Sequence, residues 1–152
     1  MRQLVIASLL LAAPVIAVAA PADVAPSEAR ATGWKVRAVA PHGAQVGKRA
    51  ELEIFVEAES GYHLNDDYPI NFKPTGTKAA RFDAPRIEKS AAVLSACPTD
   101  ATHKCGARMP VAFVATAAGS AQLGGTLAFS ACNDAQCLIQ KVVVSTPVSI
   151  ER

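Results

Sequence analysis

The sequence predicts an all-β fold, an antiparallel β-sandwich, on three observations. Apolar residues alternate with polar ones over short runs, turn residues separate those runs at short intervals, and no stretch keeps apolar residues at helical spacing. Short half-apolar strands of this kind each bury one face, and they close a core by packing sheet against sheet.

The chain has 152 residues, and its first segment reads as an export leader. Arg2 supplies a short positive start, Leu4 to Ile16 is almost wholly apolar, and Ala17-Val18-Ala19 is a small-residue cleavage site. Cleavage is expected after Ala19, making 1–19 a signal peptide, because Pro21 disfavours a cut one residue later. Pro14 and the short apolar length argue against a retained membrane span, which needs about 20 apolar residues. No cysteine stands near the cut, which excludes lipid attachment there. Residues 20–33, with Pro21, Pro26 and several alanines, read as a flexible linker, and the folded domain is expected over 34–152.

Within that domain Lys35 to Ala40 alternates weakly and gives a first strand. Glu51 to Glu59 is the clearest strand: Leu52, Ile54, Val56 and Ala58 share one face, Glu51, Glu53, Glu57 and Glu59 the other, with Phe55 the one exception on the polar side. Gly61 ends it. Tyr68, Ile70 and Phe72 alternate in a short strand ending at Lys73, and Pro74 and Pro85 mark edges or turns around Ala79 to Ile87. Ser90 to Arg108, polar and containing Cys97, Pro98 and Cys105, reads as a long loop. Met109 to Ala117 resumes a strand, Ala118-Gly119-Ser120 turns, Gln122 to Ser130 returns, and Leu138 to Ile150 closes the sheet. Gly124-Gly125 inside a strand is read as a bulge.

Charge excludes one class of function. A leader cut after Ala19 removes Arg2 from 15 Lys and Arg set against 13 Asp and Glu, leaving a net charge near +1. With no basic cluster, nucleic acid is not an expected partner. Nothing resembles a serine triad, a paired-carboxylate site or a phosphate loop.

The chemistry is concentrated in four cysteines. Cys132 and Cys137 flank the polar insert Asn133 to Gln136 between two apolar runs, the pattern of a hairpin with a cysteine at each end of its turn. Cα atoms facing each other in an antiparallel ladder stand about 4.5–5.5 Å apart, a range that a disulfide accepts. Four cysteines permit three pairings, and hairpin geometry with sequence proximity favours Cys97 with Cys105 and Cys132 with Cys137. Closing either short loop yields only roughly 2–3 kcal/mol. So small a loop is a poor staple, which tilts Cys132–Cys137 towards a working redox couple. For Cys97–Cys105 nothing beyond loop closure recommends a role, so it reads as structural. Two staples in a non-enzymatic binding or adaptor domain remain the alternative. A third reading is zinc held by all four cysteines, with or without His103; intervals of four and seven residues and an oxidising compartment weigh against it.

The neighbours add less. His63, in Gly61-Tyr62-His63-Leu64-Asn65, is a proton-transfer partner or, as the simpler reading, a turn histidine bonded to backbone. Tyr62 and Tyr68 read as half-buried platforms. Asp134 beside Cys132 would raise rather than lower a thiol pKa, and is most simply a turn residue.

From Arg49 to Ile150 the chain resembles the N-terminal periplasmic domain of the thiol:disulfide interchange protein DsbD. The resemblance is carried by the strand Glu51 to Glu59 leading into Gly61-Tyr62, by Met109-Pro110-Val111 and by Ala118-Gly119-Ser120-Ala121 turning into Leu123 to Phe129. The cysteine hairpin and Val142 to Val148 complete it. It implies an immunoglobulin-like sandwich with Cys132 and Cys137 as the electron-carrying pair, Cys137 being the sulfur that forms the mixed disulfide. It also implies that the stretch before Met109-Pro110 caps the pair. Here that stretch, Ser90 to Arg108, has Cys97 and Cys105 in place of a shielding aromatic. The expected protein is a periplasmic or secreted monomer without organic cofactor or metal. It would exchange disulfides with separate thioredoxin-like oxidoreductases.

Overall fold

Twelve strands and one short 3-10 turn, Lys89–Ala91, make up the described residues, 26–59 and 61–152, of a computed structural model of the chain. The strands are β1 (Glu28–Ala31), β2 (Trp34–Val39), β3 (Ala44–Gln45), β4 (Arg49–Ala58), β5 (His63–Leu64) and β6 (Asn71–Pro74). They continue with β7 (Ala80–Phe82), β8 (Ile87–Glu88), β9 (Val93–Ala96), β10 (Lys104–Ala115), β11 (Gly119–Cys132) and β12 (Cys137–Glu151). The all-β class is as expected from the alternation. No helix among the described residues is long and apolar enough to cross a membrane.

Alternation sets the layers. In β4, Leu52, Ile54 and Val56 are fully buried; in β10 Met109 opposite Ile54 and Val111 opposite Leu52 are buried as well, as is Phe113 two residues further on. Burying side chains of this size is worth about 1.5–3 kcal/mol each. Phe55 breaks the polar face of β4 without cost to the pattern, because the Arg37 guanidinium lies 4.4 Å above its ring. The hydrogen-bonded order is β1-β2-β4-β10-β5-β11-β12-β3, with β6 beside β11 and β8, and with β7 and β9 beside β10. This path curls on itself: Trp34 of β2 meets Phe129 of β11 edge to face at 5.5 Å inside the core.

Four expectations need correction. The stretch read as linker up to Gly33 carries β1, which pairs along its whole length with β2; its lack of apolar alternation reflects an exposed edge, not absence of structure. The sheet is mixed rather than wholly antiparallel, since β3 runs parallel to the end of β12 and Val46 bridges Ala115 in parallel. The long loop of Ser90 to Arg108 contains the end of the 3-10 turn, β9 and the start of β10, which leaves Ala92 and 97–103 irregular there. Finally, Gly124-Gly125 is no bulge, because β11 and β12 pair without a slip from Gly119↔Ile150 to Cys132↔Cys137. Those glycines answer a close approach. A Cβ on Gly124 would lie 2.1 Å from the Val144 oxygen, and one on Gly125 2.2 Å from the Lys73 oxygen. The leader, 1–19, lies outside the described residues.

Candidate functional site

The uninterrupted β11–β12 ladder delivers Cys132 and Cys137 to facing positions with Cα atoms 4.0 Å apart, and their sulfurs are bonded. The turn beyond them is organised by Asn133. Its backbone N–H donates to the Gln136 carbonyl at 2.9 Å, while its side-chain Oδ1 accepts from the backbone N–H groups of Ala135 and Gln136 at 3.0 and 2.9 Å. An asparagine that satisfies two turn amides organises the hairpin tip locally. The two cysteines differ sharply in access: Cys132 is buried, 6% exposed, beside the fully buried Ser130, whereas Cys137 stands in solvent. Asp134 is an exposed turn residue, as expected.

The second disulfide, Cys97–Cys105, joins the end of β9 to β10 with Cα atoms 4.6 Å apart. Here the ladder is irregular. The register between β9 and β10 shifts between Lys104 and Gly106, so Cys105 is the extra, unpaired residue. Between the sulfurs, residues 98–102 fold on Asp100. Its Oδ1 accepts from Thr102 N–H at 2.9 Å and from Thr102 Oγ1 at 2.5 Å, and its Oδ2 lies 2.5 Å from His103 Nδ1. Hydrogen bonds from the Thr102 hydroxyl, and then from His103, hold the Asp100 carboxyl well below the usual carboxylate range.

Strand β5 brings the two disulfides to one end of the sheet. Leu64 pairs with Lys104 on one side and Ala131 on the other, and His63 pairs with Cys132. The His63 ring stacks on that of His103, centroids 4.1 Å apart, which ties the 97–105 segment to the strand beside Cys132. His63 therefore packs on a second imidazole rather than capping a turn, contrary to the simpler expectation. Tyr62 is buried and its hydroxyl accepts a hydrogen bond from Gln136 Nε2 at 3.3 Å, anchoring the hairpin tip to the residue that precedes β5. Its ring fills the space over Gly33, where a Cβ would come within 2.6 Å. Tyr68 is half-buried.

A cleft of about 370 Å³ opens between the two disulfide regions, lined among others by Tyr62, His63, Cys97, Asp100, His103 and Asp134. The predicted pairings are both present, and all four sulfurs are engaged in them, so the four-cysteine zinc arrangement is not the one adopted. The His63–His103 contact was not foreseeable from spacing, because β5 and the 97–105 loop meet only through the fold, whereas the Asp100 hydrogen bonds are local, to residues two and three positions on. No family model matches the chain, and no curated protein matches it.

Proposed function

We propose that this chain is an exported thiol:disulfide exchange module, built on an immunoglobulin-like sandwich of the DsbD N-terminal type and working through Cys132–Cys137. The observation that carries the reading is the unequal access of the two bonded cysteines: Cys137 faces solvent at a hairpin tip while Cys132 is buried behind it. That is the arrangement an exchange reaction needs. A partner thiolate attacks Sγ of Cys137, the S–S bond breaks, and Cys132 leaves with the electron pair and takes up a proton. The partner's second thiolate then attacks the partner sulfur of the mixed disulfide and releases Cys137, so that two electrons have passed to the pair. The reverse sequence delivers them to an oxidised partner. Exposure at Cys137 favours partner attack there over attack at Cys132, since access limits exchange as much as thiolate fraction does. The leader, the periplasmic location and thioredoxin-like partners belong to the same proposal.

The test is the reduction potential of each pair measured separately, by quenching redox-equilibrated protein and mapping the thiols. A Cys132–Cys137 potential above about −250 mV supports exchange with oxidoreductases, whereas values below about −300 mV for both pairs mean two staples.

A further inference from the structure

Cys97, Cys105, His63 and His103 form a closed circuit of neighbours around one wall of the cleft. Cys97 is bonded to Cys105, and the Cys97 N–H donates to the His103 carbonyl at 3.0 Å. His103 stacks on His63 at 4.1 Å, and Cys105 Sγ lies 3.5 Å from the carbonyl oxygen of Tyr62, the residue before His63. Lys104, the residue before Cys105, pairs with Leu64, the residue after His63. With the disulfide closed, no three potential ligands among the described residues are placed to hold a metal. Opening it changes the donor set.

We propose that reduction of Cys97–Cys105 creates a zinc site from the Cys97 and Cys105 thiolates and the His63 and His103 imidazoles. Two thiolates and two neutral imidazoles are a tetrahedral donor set that suits Zn²⁺, and their two negative charges balance the ion in a half-buried cleft. A second observation points to the same ligand. The Asp100 carboxylate engages Nδ1 of His103 at 2.5 Å, the outer contact that fixes a metal-binding histidine and leaves Nε2 as its donor. The reductant is a dithiol: its two sulfurs join as the Cys97–Cys105 bond breaks, and two electrons and two protons pass to the pair. Zinc then displaces the two thiol protons. This site uses neither Cys132 nor Cys137 and stands whether or not they exchange electrons with partners.

The experiment uses the chain carrying Cys132→Ser and Cys137→Ser, oxidised or reduced with a phosphine, and Co²⁺ as the spectroscopic probe. The reduced protein should take up one equivalent of Co²⁺ with tetrahedral thiolate absorption, and Zn²⁺ should displace it. The oxidised protein should show none. Zinc should slow alkylation of Cys97 and Cys105, His63→Ala and His103→Ala should each weaken binding, and Asp100→Asn should weaken it by about 10–100-fold. Zinc affinity indifferent to both histidines would overturn the proposal, as would a reduced chain that binds no cobalt. A reduced chain that loses its strand circular dichroism and does not recover it with zinc would count equally against it.

Discussion

Cys132–Cys137 closes a ladder of 14 in-register residue pairs, whereas Cys97–Cys105 sits where the ladder between β9 and β10 slips by one residue. The first bond is positioned by backbone hydrogen bonding over the length of two strands, so its geometry is determined before any side chain is considered. The second is positioned by what lies on top of it: the Asp100 turn, the His103–His63 stack and the Tyr62 carbonyl. A disulfide on a regular ladder can be opened and closed while its cysteines stay opposite each other. One on a bulge holds its surroundings together, and opening it frees them.

The glycines in the two regions give the largest test of that difference. Gly125→Ala in β11 puts a Cβ 2.2 Å from the Lys73 oxygen and 2.8 Å from Pro74 Cα, backbone atoms that cannot turn aside. It should cost at least about 3 kcal/mol, the upper end of overpacking penalties. Gly106→Ala in β10 meets the Ser95 Oγ at 2.4 Å and nothing else closer than 3.7 Å, and that hydroxyl can rotate away. Its cost should be under about 1 kcal/mol. Urea midpoints of the two variants check both, and equal costs would mean that the two ladders are equally tolerant.

Reactivity comes next. Cys132→Ser leaves the exposed Cys137, which should trap a thioredoxin-like partner as a mixed disulfide, while Cys137→Ser leaves a buried thiol and should trap about tenfold less, if any. Comparable trapping by both, read on non-reducing gels, would remove the division of roles between the two sulfurs. Replacing Cys97 and Cys105 together by serine addresses the other region. The protein should stay folded at a cost of no more than about 3 kcal/mol. Loosening the segment stacked on His63 should also speed alkylation of reduced Cys132, its ladder partner. An unchanged alkylation rate in the folded variant would mean that the 97–105 segment shields nothing.

What the sequence made legible follows the same division. The β4, β11 and β12 strands, the hairpin and both pairings could be read, because alternation and a four-residue polar turn are local signals. β1 was hidden, since an edge strand with one half-buried residue in four carries no apolar alternation. β9 was hidden inside a polar stretch for the same reason, three of its four residues being exposed. The glycine pair was legible as unusual but not as to cause, because the crowding comes from Lys73 and Val144 on two other strands. The cleft was out of reach altogether: His63 and His103 are brought together by β5 wedged between β10 and β11, and nothing in either's own neighbourhood announces the other.

The smallest expected effect is one of pH, and it belongs to the irregular region alone. The Thr102 hydroxyl, and after it His103, hold the Asp100 carboxyl below its ordinary range in the folded chain. A carboxyl depressed on folding stabilises the fold fully above its unfolded pKa of about 3.9, and that contribution is lost as pH falls towards the folded value. The Asp100 side chain is about half exposed, so the contribution should be small and should shrink with added salt. The difference in melting temperature between the protein and Asp100→Asn should therefore be constant from pH 7 down to about 5 and narrow below about pH 4. Over the same range the protection of the Thr102 and His103 amides, taken against the intrinsic exchange rate at each pH, should fall, while that of Ala135 and Gln136, held by the uncharged Asn133, should show no matching loss. A parallel loss at both tips would mean that acid loosens the whole end of the sheet and that Asp100 does not hold its loop independently of the hairpin.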